Sequence, residues 1–461
     1  MKALWISFLL LLSFLPNCIG PHYKRPKVPV PDTFQEQHTA GSKENFMRWW
    51  TFFEDPYLNK LIEKALEYNY NFRIAGEQIE YARAMYKVQF ANLFPQIYAT
   101  SYINKTRYPR DVVTNSQLYK NTLPFFDLGF DAYWEIDVWG QIRHAVNAAY
   151  DQYESQIEYM HYVRLMLVSD VARTYIGIRS LQKQIDLAEK LVALNLDLLT
   201  LTHDRFNAGL KSEIPESEQL QALDDAKNQL LMLQTSLTKS INGLAVLLGE
   251  NPEDFKLRHG DHAVPRSTKK LEIGLPSELL LRRPDIRQAE RSLAAATELV
   301  GQARGELFPK FFLLGSTSSQ STYGSNWFGS QSLAWTIGSL VLWPIITFGR
   351  ITYQIKAQES LQRQALLGYS EVVVNAFADV ENALVTYFNT EKQLKNLEEK
   401  TCASTRKRDL VLDLLRSGLA NQSDLLMAEQ ELINNITQLT ETERALSTAL
   451  IAVYKALGGG W

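Results

Sequence analysis

The sequence predicts a mainly α-helical protein with a small transmembrane β part, built twice over from one unit. Three observations carry that prediction: long heptad seams, two strand-like pairs with matching parity, and motifs that recur a little over two hundred residues apart. At 461 residues the chain exceeds one ordinary compact domain, so several domains or one drawn-out architecture must follow.

The chain opens on an export signal at 1–17: Lys2 gives a positive start, Ala3 to Phe14 an apolar stretch, and Cys18 follows Pro16 and Asn17. A Cys at such a place is the usual acylation site of bacterial lipoproteins, which makes Cys18 the candidate lipid anchor and 18–56 an extended anchored segment. A plain cleaved signal is the other reading, because Pro16 and Asn17 stand where lipoprotein signals favour small residues. No later segment offers about 18 uninterrupted apolar residues, so insertion into a membrane after export must use strands.

The first repeat is placed at 57–250 and the second at 284–461, joined by a Pro-containing connector at 251–283. Leu93, Phe94 and Pro95 return as Leu307, Phe308 and Pro309; Trp134 and Gly140 return as Trp343 and Gly349. Each half runs helix, Pro, strand-like region, Gly, long helix, Gly-marked turn, helix. Strand pairs are expected at Ile97 to Asn104 with Phe126 to Val138, and at Phe311 to Gln320 with Ala334 to Ile346.

From Phe126 to Val138 one parity reads Phe126, Leu128, Phe130, Ala132, Trp134, Ile136, while the other holds Asp127, Asp131, Glu135 and Asp137. Four strands cannot close a barrel alone, and an open edge in lipid leaves backbone groups unpaired, so a membrane role demands a closed oligomer. On that reading the apolar parity faces lipid and the four carboxylates face a wetted lumen. A soluble sandwich is the plainer alternative.

Downstream, Leu167, Val171, Thr174, Ile178, Leu181, Ile185, Ala188, Val192 and Asn195 alternate steps of three and four, and a matching seam starts at Leu425. Gly209 and Gly418 mark the turns between the paired helices. Heptads alone would suit a rod or tether equally well.

Chemistry is missing. No HExxH, P-loop, GxSxG or CxxC pattern occurs, His259 and His262 lack a third ligand, and Cys402 stands alone in a polar helical pattern, so neither an enzyme nor a metal or other cofactor is expected. The 48 Lys+Arg against 51 Asp+Glu provide no basic excess, so nucleic acid is not an expected partner.

Several segments together resemble the outer-membrane factor family, TolC-like, and especially its NodT/OprM-like lipoprotein members that serve resistance-nodulation-division pumps. They are GPHYKRP at 20–26, WW with DP at 49–56, WEIDVWGQIR at 134–143, GLPSELLLRRPDIRQAE at 274–290 and ALGGGW at 456–461. The resemblance implies a homotrimer whose shared outer-membrane barrel takes four strands from each copy, continued by a long coiled-coil barrel of helices across the periplasm. It also implies a periplasmic adaptor and an inner-membrane pump as partners, with Gram-negative outer-membrane lipid around the strands. The hairpin tips beyond Gly209 and Gly418 then close the duct at rest, and Arg416 and Asp424 match gate positions, whereas Met427 stands where the family has a second carboxylate. A periplasm-spanning structural or tethering lipoprotein is the alternative function.

Overall fold

The computed structural model describes residues 19–26, 47–107, 122–257, 263–267 and 280–461. Cys18, the export signal, the segment at 108–121, His259, His262 and most of the connector lie outside the described residues. A single-turn 3-10 helix, Trp49–Phe53, leads into helices α1 Pro56–Tyr68 and α2 Tyr70–Ala91, then strands β1 Gln96–Arg107 and β2 Thr122–Ile136. Helices α3 Gln141–Asn207 and α4 Ile214–Leu247 complete the first half. The second half repeats it with α5 Pro284–Gly305, β3 Lys310–Ser321, β4 Leu333–Leu342, α6 Arg350–Arg416 and α7 Gln422–Ala456.

The duplication is exact in register. Helices α3 and α6 are both 67 residues long, about 100 Å each at 1.5 Å per residue. In the first hairpin Ser101 lies opposite Leu128, and in the second their counterparts Gly315 and Ile337 lie opposite each other. All four strands form one antiparallel sheet in the order β1-β2-β3-β4, with β1 and β4 at its edges. No described helix is long and apolar enough to cross a membrane.

Two compact units divide the chain, and each has its own packing logic. The helical unit comprises 28–77, 158–287 and 371–461. Its core gathers Trp49, Phe52, Leu58, Ile62, Val171, Ile176, Leu244, Val380, Leu450 and Val453. Helix α1 begins where Asp55 caps it, accepting from the amides of Tyr57 at 2.8 Å and Leu58 at 3.2 Å, with Pro56 supplying no competing donor. The other Asp55 oxygen accepts from the Tyr175 hydroxyl at 2.6 Å, so the WW–DP segment is tied to α3 by both its apolar and its polar residues. Trp49 lies parallel to Tyr454 at 5.8 Å. Trp461 stacks on His161 at 4.5 Å, lies under the Arg287 guanidinium at 5.1 Å and donates to the Arg282 carbonyl at 2.9 Å. Arg283 in turn bonds Asp285 at 2.7 Å, Asp379 at 3.1 Å and the Ala456 carbonyl at 3.2 Å. The RRPDI segment is therefore a clasp for α6 and for the residues that follow α7.

The seams carry a few buried polar residues, and these are satisfied. Asn195 accepts from Gln219 of α4 at 2.8 Å, and Asn435 donates to Ser404 of α6 at 2.6 Å. A buried amide matched to one polar side chain on the facing helix sets the sliding register of each helical pair.

In the sheet-bearing unit, 1–27, 78–157 and 288–370, residues 19–26 form a strap along α3 and α5. The Ile19 amide donates to the Trp139 carbonyl at 3.0 Å, and Arg25 pairs with Glu290 at 3.0 Å. Gly20 leaves no room for a side chain: a Cβ there would sit 2.7 Å from His144 Nε2. That His is buried, with Nδ1 2.6 Å from Glu298.

Nearby, burial pushes the Asp151 carboxyl from its ordinary 3.8 up to about 6, against the attraction of Arg291 at 3.4 Å. Because the folded state prefers the protonated acid, its contribution to stability is fullest below pH 3.8 and is lost as pH rises through about 6. Asp151→Asn should therefore raise the thermal midpoint in detergent above pH 6 and leave it nearly unchanged below pH 4. A midpoint lowered at every pH would show that the ion pair with Arg291 outweighs burial.

Candidate channel wall and helical tips

Register fixes which side chains share a face of the sheet. One face carries Ile97 and Ile103 of β1, Phe126, Leu128, Phe130 and Trp134 of β2, and Trp335, Ile337 and Val341 of β4. Among the described residues Trp327 lies against Phe126 at one end of it, and most of the rest is bare: Trp335 is 70% exposed and Ile337 74%. A bare apolar face of this extent suits lipid and not water.

The opposite face carries Asp127, Asp131 and Glu135 with Tyr98, Tyr102 and Tyr133. Asp131 accepts from Thr100 at 2.8 Å and Asp127 from Gln320 at 2.8 Å, so cross-strand donors hold both carboxylates flat along the wall. Successive acids stand four residues apart, about 13 Å along a strand, too far to converge on one reacting atom. At the foot of this face Lys310 pairs with Glu306 at 3.0 Å, beside a hollow of about 210 Å³ lined by the amides of Gln89, Asn92, Gln96, Gln141 and Gln302.

Asp137 departs from the expected set. Strand β2 ends at Ile136, and Asp137 turns to the start of α3, accepting from the amides of Ile142 at 3.1 Å and Arg143 at 2.9 Å. The alternation stops where the helix demands a cap, because orphan amides compete for the carboxylate. The second hairpin also differs from the first: Phe312, Leu314, Leu340 and Leu342 share the face of the acids, so that face is half acidic and half apolar. Lys310, Thr100 and Gln320 were not singled out by alternation, although the repeat alignment with β1 and β2 placed their strands.

The helical turns match each other bond for bond. Gly209 has φ +69 and Gly418 φ +74, left-handed values at which a side chain is strained. Gly209 and Leu210 donate to Phe206 and Arg205, and Gly418 and Leu419 donate to Leu415 and Leu414, each at 2.9 or 3.0 Å. Both helices thus end in the same Schellman turn. Helix α7 then starts at Gln422, capped by Asn421. Asp424 closes a reciprocal box, donating its amide to Asn421 Oδ1 at 3.1 Å and accepting from the Asn421 amide at 2.9 Å. Arg416 pairs with Asp413 at 3.4 Å, both highly exposed, so the structure sets Arg416 and Asp424 on one tip without pairing them to each other. At the first tip His203 meets Glu216 at 2.8 Å.

A four-stranded sheet with one bare apolar face, rooted in helices of this length, defines the protomer of an outer-membrane channel. The chain belongs to the outer membrane efflux protein family, whose signature matches residues 61–250 and 275–459. It is 28% identical over 466 residues to the solvent efflux pump outer membrane protein SrpC of Pseudomonas putida, a match that covers 98% of this chain and 97% of that one. It is 27% identical over 472 residues to a probable outer membrane lipoprotein of Salmonella typhimurium, SilC, covering 100% and 99%. Among solved structures the outer-membrane channel OprN superposes with a TM-score of 0.87 at 27% identity, covering 96% of this chain and 100% of that one. The protein is thus an outer-membrane efflux channel, and the relatives it matches are channel and efflux proteins.

Proposed function

We propose that this chain is the exit duct of a tripartite efflux system, receiving cargo from a periplasmic adaptor and an inner-membrane pump of the resistance-nodulation-division type. One observation carries the reading: a four-stranded sheet with two free edges and an uncovered apolar face cannot stand in lipid as a single copy. Three copies, each giving four strands, make a closed homotrimeric barrel, with Asp127, Asp131 and Glu135 turned to the lumen. The two helical hairpins of each copy extend that barrel as a coiled-coil tube into the periplasm, and their tips form the gate. The duct breaks no bond and needs no cofactor, since the pump supplies the energy and chooses the cargo. Purified protein in a planar bilayer should give discrete single-channel currents; a stable oligomer that never conducts would favour the tether instead.

Lipid anchoring at Cys18 belongs to the same reading. The Ile19 amide is bonded to Trp139, three residues past β2, which holds the residue after Cys18 close to the end of that strand. One acyl chain holds a protein weakly, but chains on three copies add to the grip of the barrel. Intact mass of the mature protein should show a diacyl- or triacyl-glycerol on Cys18; an N-terminus elsewhere without lipid would remove the anchor.

A further inference from the structure

The face that carries Asp127, Asp131 and Glu135 changes character along its length. Asp127 and Asp131 each have a cross-strand donor, and opposite Asp131 stand Ser316 and then Thr336. Nearer the helices the hydroxyls give way: Tyr133 lies opposite Leu314, which faces Gly338, and Glu135 lies opposite Phe312, which faces Leu340. Tyr133 stacks on Phe312 at 5.1 Å, and Leu340 is 40% exposed. At Gly338 an added Cβ would meet nothing within 4 Å, so the wall is dented beside Leu314. Glu135 is half-buried in this apolar setting, and among the described residues no donor or ion-pair partner reaches its carboxylate. Lys310 is taken up by Glu306 at 3.0 Å, and Arg143 by Asp137 at 3.1 Å. The hollow of about 210 Å³ that Glu135 and Tyr133 share has amides but no cation among its lining residues. A carboxylate partly withdrawn from water without a counter-charge is costly, so its partner comes from outside the chain.

We propose that the foot of this face is a subsite for amphiphilic organic cations, the charged head beside Glu135 and the ring of Tyr133, the apolar body on Leu340, Leu342 and the dent at Gly338. An aromatic ring next to a carboxylate is a favourable place for an ammonium group, and apolar walls with one ion are the usual make-up of a small-molecule site. The two halves of the site also exclude simpler occupants. A bare metal cation would answer Glu135 and leave the apolar ledge wet, whereas an uncharged apolar molecule would cover the ledge and leave Glu135 unpaired. A molecule with both parts satisfies both. The proposal rests on this face lining the lumen of the duct, and it adds a place where one class of cargo dwells on its way out; the pump still decides what enters.

Block of the single-channel current in a planar bilayer reads the subsite. Tetrabutylammonium should block the unaltered channel at a concentration roughly tenfold lower than tetramethylammonium, which has the same charge on a smaller apolar body. Glu135→Gln should weaken the tetrabutylammonium block about threefold to fivefold, the loss of one partly screened ion contact. Leu340→Ser keeps that charge and removes the ledge, so it should weaken the tetrabutylammonium block and spare that by tetramethylammonium. Asp131→Asn should change either block by less than about twofold in about 0.1 M salt, because position 131 stands about 13 Å up the strand and the screening length is about 10 Å. Equal block by the two ammonium ions, or a tetrabutylammonium block that neither Glu135→Gln nor Leu340→Ser weakens, overturns the subsite while the duct stands. So does an effect of Asp131→Asn as large as that of Glu135→Gln, which would make the block a property of the lumen's overall charge. A protein that never conducts removes the duct, and the subsite with it.

Discussion

Arginine at position 130 should cost each copy about 2 to 4 kcal/mol, the loss expected for a cation at the lipid face near mid-membrane. Phe130 sits in the middle of β2, opposite Ala99 and Thr317, and is 58% exposed within the chain. In the proposed oligomer that side chain would face lipid, where such exposure is favourable. Its neighbour on the other face gives the control: Asp131→Asn keeps an oxygen for Thr100 and removes a charge, so oligomer yield should hold while the reversal potential shifts away from cations. Heat-resistance of the oligomer on a gel and bilayer reversal potentials read the two variants. If Phe130→Arg assembles normally and Asp131→Asn changes no selectivity, the faces are assigned the wrong way round.

Replacing Arg416 and Asp424 together is expected to open the periplasmic end. Within one chain the Arg416–Asp413 pair is so exposed that it carries almost nothing, and Asp424 serves as the partner of Asn421. In the proposed gate, Arg416 and Asp424 would then act on partners in neighbouring copies. Exposed ion pairs contribute about 0.2 to 1 kcal/mol each, so three around one axis bias closure by about 0.6 to 3 kcal/mol, roughly a 3- to 150-fold change in the open population. The double variant Arg416→Ala, Asp424→Asn should raise conductance within that range and admit large antibiotics to cells. Asparagine retains an acceptor at the helix start, so thermal stability should fall by less than about 1 kcal/mol. A large loss of stability with unchanged conductance would make Asp424 a cap alone and put the gate elsewhere.

The two predictions draw on sequence features of different legibility. The ribbon from Phe126 to Ile136 is readable because its two sides meet different surroundings, which forces a period of two on the residues. The Schellman turns are readable because few residues besides glycine tolerate a φ near +70. Asp137 misleads because a carboxylate next to a strand looks the same in sequence whether it continues the alternation or caps the following helix. Leu340 and Leu342 blur the parity of β4, since apolar residues on both faces erase the contrast that reveals a face. Arg287 and Trp461 owe their roles to partners more than a hundred residues away, and Arg283, beside its local partner Asp285, reaches as far as Ala456, so neighbouring residues carry little of that signal.

The core of the helical unit also has a bearing on how the protein is made. Trp49 to Ala65 pack against Ala449 to Leu457, segments nearly four hundred residues apart in the order of synthesis. A chain threaded across the inner membrane delivers the first of these long before the second. Until the later segment arrives, Trp49, Phe52 and Leu58 can pack only on the part of their core that Val171, Ile176 and Leu244 supply, and contacts of such long range form slowly in any case. That leading aromatic cluster is therefore completed only by residues from the far end of the chain. Tyr454, whose ring lies parallel to Trp49, is among the last residues of the core to be made.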